Sequence, residues 1–211
     1  MSCSPTLFRK ALSLLFILLV FPLSGQQTTS KNLAAEPADK LAATAKASGA
    51  LRVLQFKRAL NWYSQDSFAR CRITIDSLAH DPQGGPIIDS LSGLAYHMAG
   101  MSYYQVYDDI NAIPQYLRAI KIRDACYPDL HIDQAHTRYN LANSLHWIGR
   151  PDTATFLLRE AIDIYDNLPR KDTTNWLRSI KLLGVIAKES NDPALTRNTT
   201  LAMVDLLGRF T

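Results

Sequence analysis

Along most of this chain apolar residues return every three or four positions, in segments separated by short breaks of Asp, Asn, Gly and Pro. That spacing marks amphipathic helices, and no segment has the strict alternation of a half-buried strand. Leu51, Leu54, Leu60 and Trp62 indicate a helix over residues 47–63, and Asp66 is placed to cap a second running to about residue 80. Residues 81–86 are a clear break, with Pro86 suited to the first turn of the next helix. Further helices are expected over residues 87–107, 109–125, 132–148, 153–167, 174–189 and 193–210. Gly149 fits a left-handed position after a helix end, with Asp152 as cap of the helix that follows. Asn191, Asp192 and Pro193 repeat this chemistry as stop, cap and first-turn residue. The expected class is all-α.

The helices recur at a fixed step. Gly100, Ala142 and Gly184 stand 42 residues apart, and so do Tyr103, Leu145 and Ala187. Ala112, Ala154 and Thr196 keep the step, as do Tyr116, Leu158 and Thr200, then Ala119, Ala161 and Met203. A period of this size is the mark of a repeat architecture, in which each unit buries its apolar face against its neighbours. The last unit drifts, with Thr and Met where the others have small and bulky apolar residues.

The front of the chain differs. Arg9 and Lys10 precede an apolar run over residues 11–21, then Pro22 and the small residues Ser24 and Gly25. This pattern is that of a secretory leader over residues 1–25, and the run is shorter than the ~20 residues a membrane span needs. An uncleaved anchor or a buried helix is the competing reading. The absence of a Cys after the run argues against a lipid anchor there. Residues 26–46 lack apolar periodicity and are expected to form a flexible or partly helical linker, leaving 47–211 as the repeat domain. No later stretch is apolar enough to cross a membrane. Without Arg9 and Lys10, 21 of the 23 basic residues remain against 19 acidic ones, a net charge of +2. They form no basic stripe, so nucleic acid is not an expected partner. Cys71 and Cys126 fall at offset points of neighbouring helices, too far apart for a bridge, and are expected to be free, buried thiols.

Tyr139, Asn140, Leu141, Ala142, Asn143, Ser144 and Leu145, followed by Gly149, Ala154, Leu158 and Ala161, resemble a tetratricopeptide (TPR) repeat. Residues 93–125 match through Gly100, Tyr103, Ala112, Tyr116 and Ala119. Residues 177–210 match in their first helix, and residues 50–79 match weakly through Leu60, Ala69 and Ile73. The step of 42, against about 34 in the common repeat, is similar to the kinesin-light-chain-like subgroup. The resemblance implies a right-handed α-solenoid of about four antiparallel helix pairs that binds protein or peptide rather than catalysing a reaction.

In such a solenoid the first helix of each pair lines the inner face. In this register the lining residues are Leu94, His97, Met101 and Tyr104, then His136, Tyr139, Asn143, His146 and Trp147, then Arg178, Lys181 and Lys188. They describe a groove with an aromatic centre and a basic end, suited to a peptide carrying apolar and acidic residues; the competing reading is ordinary packing and a solvated face. The carboxylate clamp of some relatives is not expected, because its companion positions hold His97, Met101 and Leu182. His131, Asp133 and His136 lie close in sequence but on different helix faces, so no metal site is expected, and nothing calls for a cofactor. No Ser or Cys stands in a recognisable nucleophile context.

Two functional expectations follow. The first is an exported, periplasmic or extracellular, non-enzymatic scaffold that holds a protein or peptide on its inner face. The second is a sensor or regulatory segment belonging to a larger peptidase or membrane signalling protein. In that case the uncapped last repeat would favour docking or self-association.

Overall fold

The computed structural model describes residues 38–81, 85–127, 130–168 and 173–208. The leader over residues 1–25 lies outside the described residues, as does the linker up to residue 37. The repeats belong to the compact unit Ala42–Thr211.

The described residues form eight helices: α1 Ala38–Ser64, α2 Phe68–Ala79, α3 Ser90–Tyr104, α4 Asp109–Cys126, α5 Ile132–Trp147, α6 Pro151–Asn167, α7 Thr173–Glu189 and α8 Pro193–Gly208. They make four antiparallel pairs, each stacked on the next, in a right-handed α-solenoid. No strand occurs among the described residues beyond an isolated bridge between His80 and Pro86. Two boundaries differ from expectation. α1 begins at Ala38, so residues 38–46 of the expected linker are helical. α3 begins at Ser90 rather than near residue 87, because Pro86 is held in the bridge to His80 and Ile87 N–H donates to Ala79 O at 2.9 Å. Asp89 then caps the helix by accepting Ser92 N–H at 2.8 Å.

The repeat is most exact in the turns within each pair. Asp66, Tyr107, Gly149 and Asn191 all adopt positive φ, at 55°, 59°, 74° and 51°. Each donates its N–H to the carbonyl three residues back, at 3.1, 3.0, 3.0 and 3.2 Å. The next residues, Ser67, Asp108, Arg150 and Asp192, donate to the carbonyl five residues back, at 2.8, 3.1, 2.9 and 2.9 Å. These two bonds are the Schellman closure of a helix end. The closing residue is also the N-cap of the following helix, which sets the tight reversal. Gly149 and Asn191 take the stop role expected of them. Asp66 and Asp152 do not cap: Asp66 is the left-handed residue and Ser67 the N-cap, while Arg150 precedes α6 and Asp152 lies in its first turn. Asp192 does cap, accepting Leu195 N–H at 2.9 Å.

Only Tyr107 brings an aromatic side chain to this turn position, and it is 93% exposed. A left-handed non-glycine residue costs about 1 kcal/mol. Tyr107→Gly should therefore raise the melting temperature. Gly149→Ala, with nothing within 4 Å of the new Cβ, should lower stability by about 1 kcal/mol through backbone strain alone.

The small residues at the 42-residue step sit where helices cross. Ala142 and Ala154 are both fully buried in one cluster with Leu141, Leu158 and Tyr116. Ala161 is buried against Trp176 and Ile180 of the following helix. A Cβ on Gly100 would lie 2.5 Å from the Tyr116 ring, so the ring occupies the space a side chain would need. In the last pair the register slips by one residue. Thr199, not Thr200, is buried against Gly184, with its hydroxyl donated back to its own helix at Leu195 O, 3.0 Å away. Cys71 and Cys126 are both free thiols. Cys71 is buried beside Ser102, whose hydroxyl donates to Sγ at 3.3 Å, and burial pushes its thiol up. Cys126 is exposed at the end of α4, contrary to the expectation that both would be buried.

Candidate functional site

The first helices of successive pairs are joined by side-chain bonds that span about one repeat. Arg52 on α1 donates to Asp89 Oδ1 at 3.2 Å and to Ser92 Oγ at 2.8 Å. Gln105 on the turn after α3 reaches back to Tyr63 Oη at 2.9 Å. His97 on α3 meets Thr137 Oγ1 on α5 at 3.2 Å and Asn140 at 3.4 Å. Asn143 donates to Tyr104 Oη at 2.9 Å. His136 on α5 meets Asn175 on α7 at 3.1 Å, and His146 lies 3.7 Å from the Glu189 carboxylate. The helix spacing of the repeat places these side chains opposite one another, and their polar ends satisfy each other across the helix boundary.

Three levels of accessibility result. His97 is buried, at 9% exposure, and both ring nitrogens face α5. Burial and then the Arg123 charge hold its imidazole down, to about 3, so it is neutral at ordinary pH. Met101, Tyr104, His136, Tyr139, Asn143 and His146 are half-buried, and Met101, Tyr104 and Tyr139 also pack on the core. Trp147, Arg178, Lys181 and Lys188 are exposed, Trp147 at 66%. The indole stands beside the His146 ring, with centroids 5.9 Å apart. Burial raises the Tyr139 phenol, and the Arg178 charge acts against that shift. Aromatic groups on α5 and cations on α7 thus occupy neighbouring helices.

One buried feature was not foreseen. Arg123 on α4 is 1% exposed, and its Nη1 donates to Asp133 O at 2.6 Å and to the Thr137 hydroxyl. Gly93 makes room for it, since a Cβ there would lie 3.0 Å from Arg123 Cγ. Through Thr137 the guanidinium is linked to His97, so one polar cluster ties α3, α4 and α5 together. Its sequence signal was Gly93 itself, a small residue one step before Ala135. His131 caps α5 by accepting Asp133 N–H at 3.2 Å and stacks on Tyr127 at 4.0 Å. Among the described residues no group of three or more His, Cys, Asp or Glu could hold a metal ion. No helix among them is long and apolar enough to cross a membrane.

No family model matches this sequence, and no curated protein matches it. Solved structures do match. The crystal structure of a kinesin-light-chain-like protein of Podosopora anserina with nearly identical TPR-like repeats aligns with a TM-score of 0.53 and 14% identity, covering 77% of this chain and 74% of that one. A single-substitution variant of the same protein aligns with a TM-score of 0.54 and 14% identity, over 77% and 73% of the two chains. At that identity the likeness speaks for the fold. With the 42-residue step, the four identical turns and these likenesses together, the chain is TPR-like in fold.

Proposed function

We propose that this chain is an exported, non-enzymatic scaffold that holds a protein or peptide segment along the face of its first helices. The supporting observation is the placement of exposed Trp147 and half-buried Tyr139 on α5 beside exposed Arg178, Lys181 and Lys188 on α7. Exposed Trp and Arg are the side chains most often found to dominate interface energetics. A partner segment with an apolar residue for the indole and carboxylates for the α7 cations would meet both. Export rests on the basic and apolar leader pattern of residues 1–25.

Trp147→Ser combined with Lys181→Glu and Lys188→Glu changes only exposed positions and should leave the helical circular dichroism intact. Partner capture from the native host's envelope fraction should fall by about thirtyfold or more, as for loss of a hot spot worth 2 kcal/mol or more. Undiminished capture by the folded triple variant would sink the assignment.

A second reading is favoured by Leu201 and Val204 on α8, which are 57% and 62% exposed. There the chain is the regulatory part of a larger peptidase or signalling protein and docks through α8. Concentration-dependent self-association, abolished by Val204→Lys, would support a docking surface on this helix.

A further inference from the structure

Three equivalent gaps lie between successive second helices, α2/α4, α4/α6 and α6/α8. A first-helix residue at the same repeat position floors each: Tyr96, Arg138 and Ile180. In the middle gap Arg138 closes the space itself. Its guanidinium donates to both Asp124 carboxylate oxygens on α4, at 3.1 and 2.9 Å, and to Glu160 Oε2 on α6 at 3.2 Å.

The first gap is built differently. Its floor is the buried Tyr96 ring, and Arg118 stands on α4 where α6 carries Glu160. Arg118 has no carboxylate partner among the described residues; it lies over Tyr96 with its guanidinium 5.6 Å from the ring centroid. On one side of it is a cavity of about 390 Å³ that includes Arg72 and Tyr103. On the other is a cavity of about 430 Å³ that includes Ile88 and Lys121. Tyr96 and Arg118 line both, so the two are halves of one groove with the Arg118 side chain lying across it. Arg72 stacks on Tyr103 at 4.3 Å and donates to Ser102 O at 3.1 Å, which holds its charge at the groove edge. Among the described residues the groove thus carries three cations, Arg72, Arg118 and Lys121, against one carboxylate, Asp76, which itself faces His80 at 3.5 Å. Ile73 and Ile88, 73% and 63% exposed, supply apolar surface on its walls. The third gap is lined by Asp163, Asp166 and Arg159.

We infer that the groove between α2 and α4 docks a second partner segment, an acidic peptide with apolar residues between its carboxylates. It lies on the second-helix side of the solenoid and uses none of the residues assigned to the first-helix face. Apolar side chains cover Ile73 and Ile88, while carboxylates draw Arg118 off the Tyr96 ring and meet Lys121.

The test uses a fluorescein-labelled peptide of three Glu-Glu-Leu-Leu units, blocked at both ends, and its Lys-Lys-Leu-Leu counterpart. Fluorescence anisotropy against the full chain should show saturable binding of the acidic peptide, weaker at 300 mM than at 50 mM salt. Arg118→Glu with Lys121→Glu, both on exposed side chains, should weaken binding about tenfold or more while the melting curve is retained. Trp147→Ser should leave it unchanged. The inference is overturned if the acidic peptide does not bind at millimolar concentration, or if the lysine peptide binds equally well. It is also overturned if the double reversal has no effect, or if the loss appears in the Trp147 variant instead. Because the first-helix variants are scored separately, failure here leaves the first-helix assignment standing, and the reverse.

Discussion

Gly100→Ala should cost this protein about 3 kcal/mol, the upper part of the usual range for overpacking a filled core. The new Cβ would lie 2.5, 2.6 and 2.9 Å from three atoms of the Tyr116 ring. That ring is 1% exposed and is enclosed by the cluster of Ala112, Leu141 and Leu158, so it has nowhere to swing. The next repeat shows how the same crossing accommodates a methyl group. Ala142 stands at the Gly100 position, and Leu158 stands where Tyr116 would be. The second and third pairs therefore hold matched partners, glycine with tyrosine and alanine with leucine. Gly100→Ala in a Tyr116→Leu background should cost much less than in the native one, giving a coupling of about 1 kcal/mol or more. Denaturant unfolding of the two single variants and the double variant measures this directly. Strict additivity would show that the glycine is not there for the ring.

The second large effect is on acid stability, and it comes from His97. Its folded-state value, about 3, lies far below the ordinary 6.5 because the imidazole is buried and faces the Arg123 charge. Between those two values the unfolded chain binds a proton that the folded chain refuses, so stability rises with pH there and falls on acidification. The contribution is fully present above about pH 6.5. Roughly 2 kcal/mol should be lost on going from pH 7 to pH 5, as follows from linkage for one histidine that stays neutral when folded. In His97→Gln, where an amide replaces the ring and cannot titrate, the slope over this window should flatten. An unchanged slope in that variant would place the acid sensitivity elsewhere.

Much of the architecture was legible because it is repeated. The step from Gly100 to Ala142 to Gly184 marks the helix crossings, and Gly149 and Asn191 mark two of the four turns. Tyr107 was not legible as a turn residue, since an aromatic side chain gives no local reason to adopt positive φ; only its register with Gly149 points there. Arg123 was hidden for a related reason. A charged residue in a helix reads as exposed, and its burial depends on Gly93, Asp133 and Thr137, which lie on other helices. On the first-helix face, register placed the candidate residues on successive helices. It could not separate His97, which is spent on Thr137 and Asn140, from Trp147, which remains open. That distinction depends on which polar groups satisfy each other across a helix boundary, a matter of side-chain reach and not of period.

The four turns that close the helix pairs carry one further consequence, for assembly during folding. Their hydrogen bonds join residues only three to five apart, so each pair can close without its neighbours. For the same reason they contain no information about the order in which pairs stack. A pair that docked on the wrong neighbour would have flawless turns. Contacts between pairs that do not repeat, such as Arg52 with Asp89 and Arg138 with Asp124, are what correct stacking has and scrambled stacking lacks. Each of these ion pairs is present at one junction only, and exchanging them between junctions should slow refolding more than it lowers the final stability.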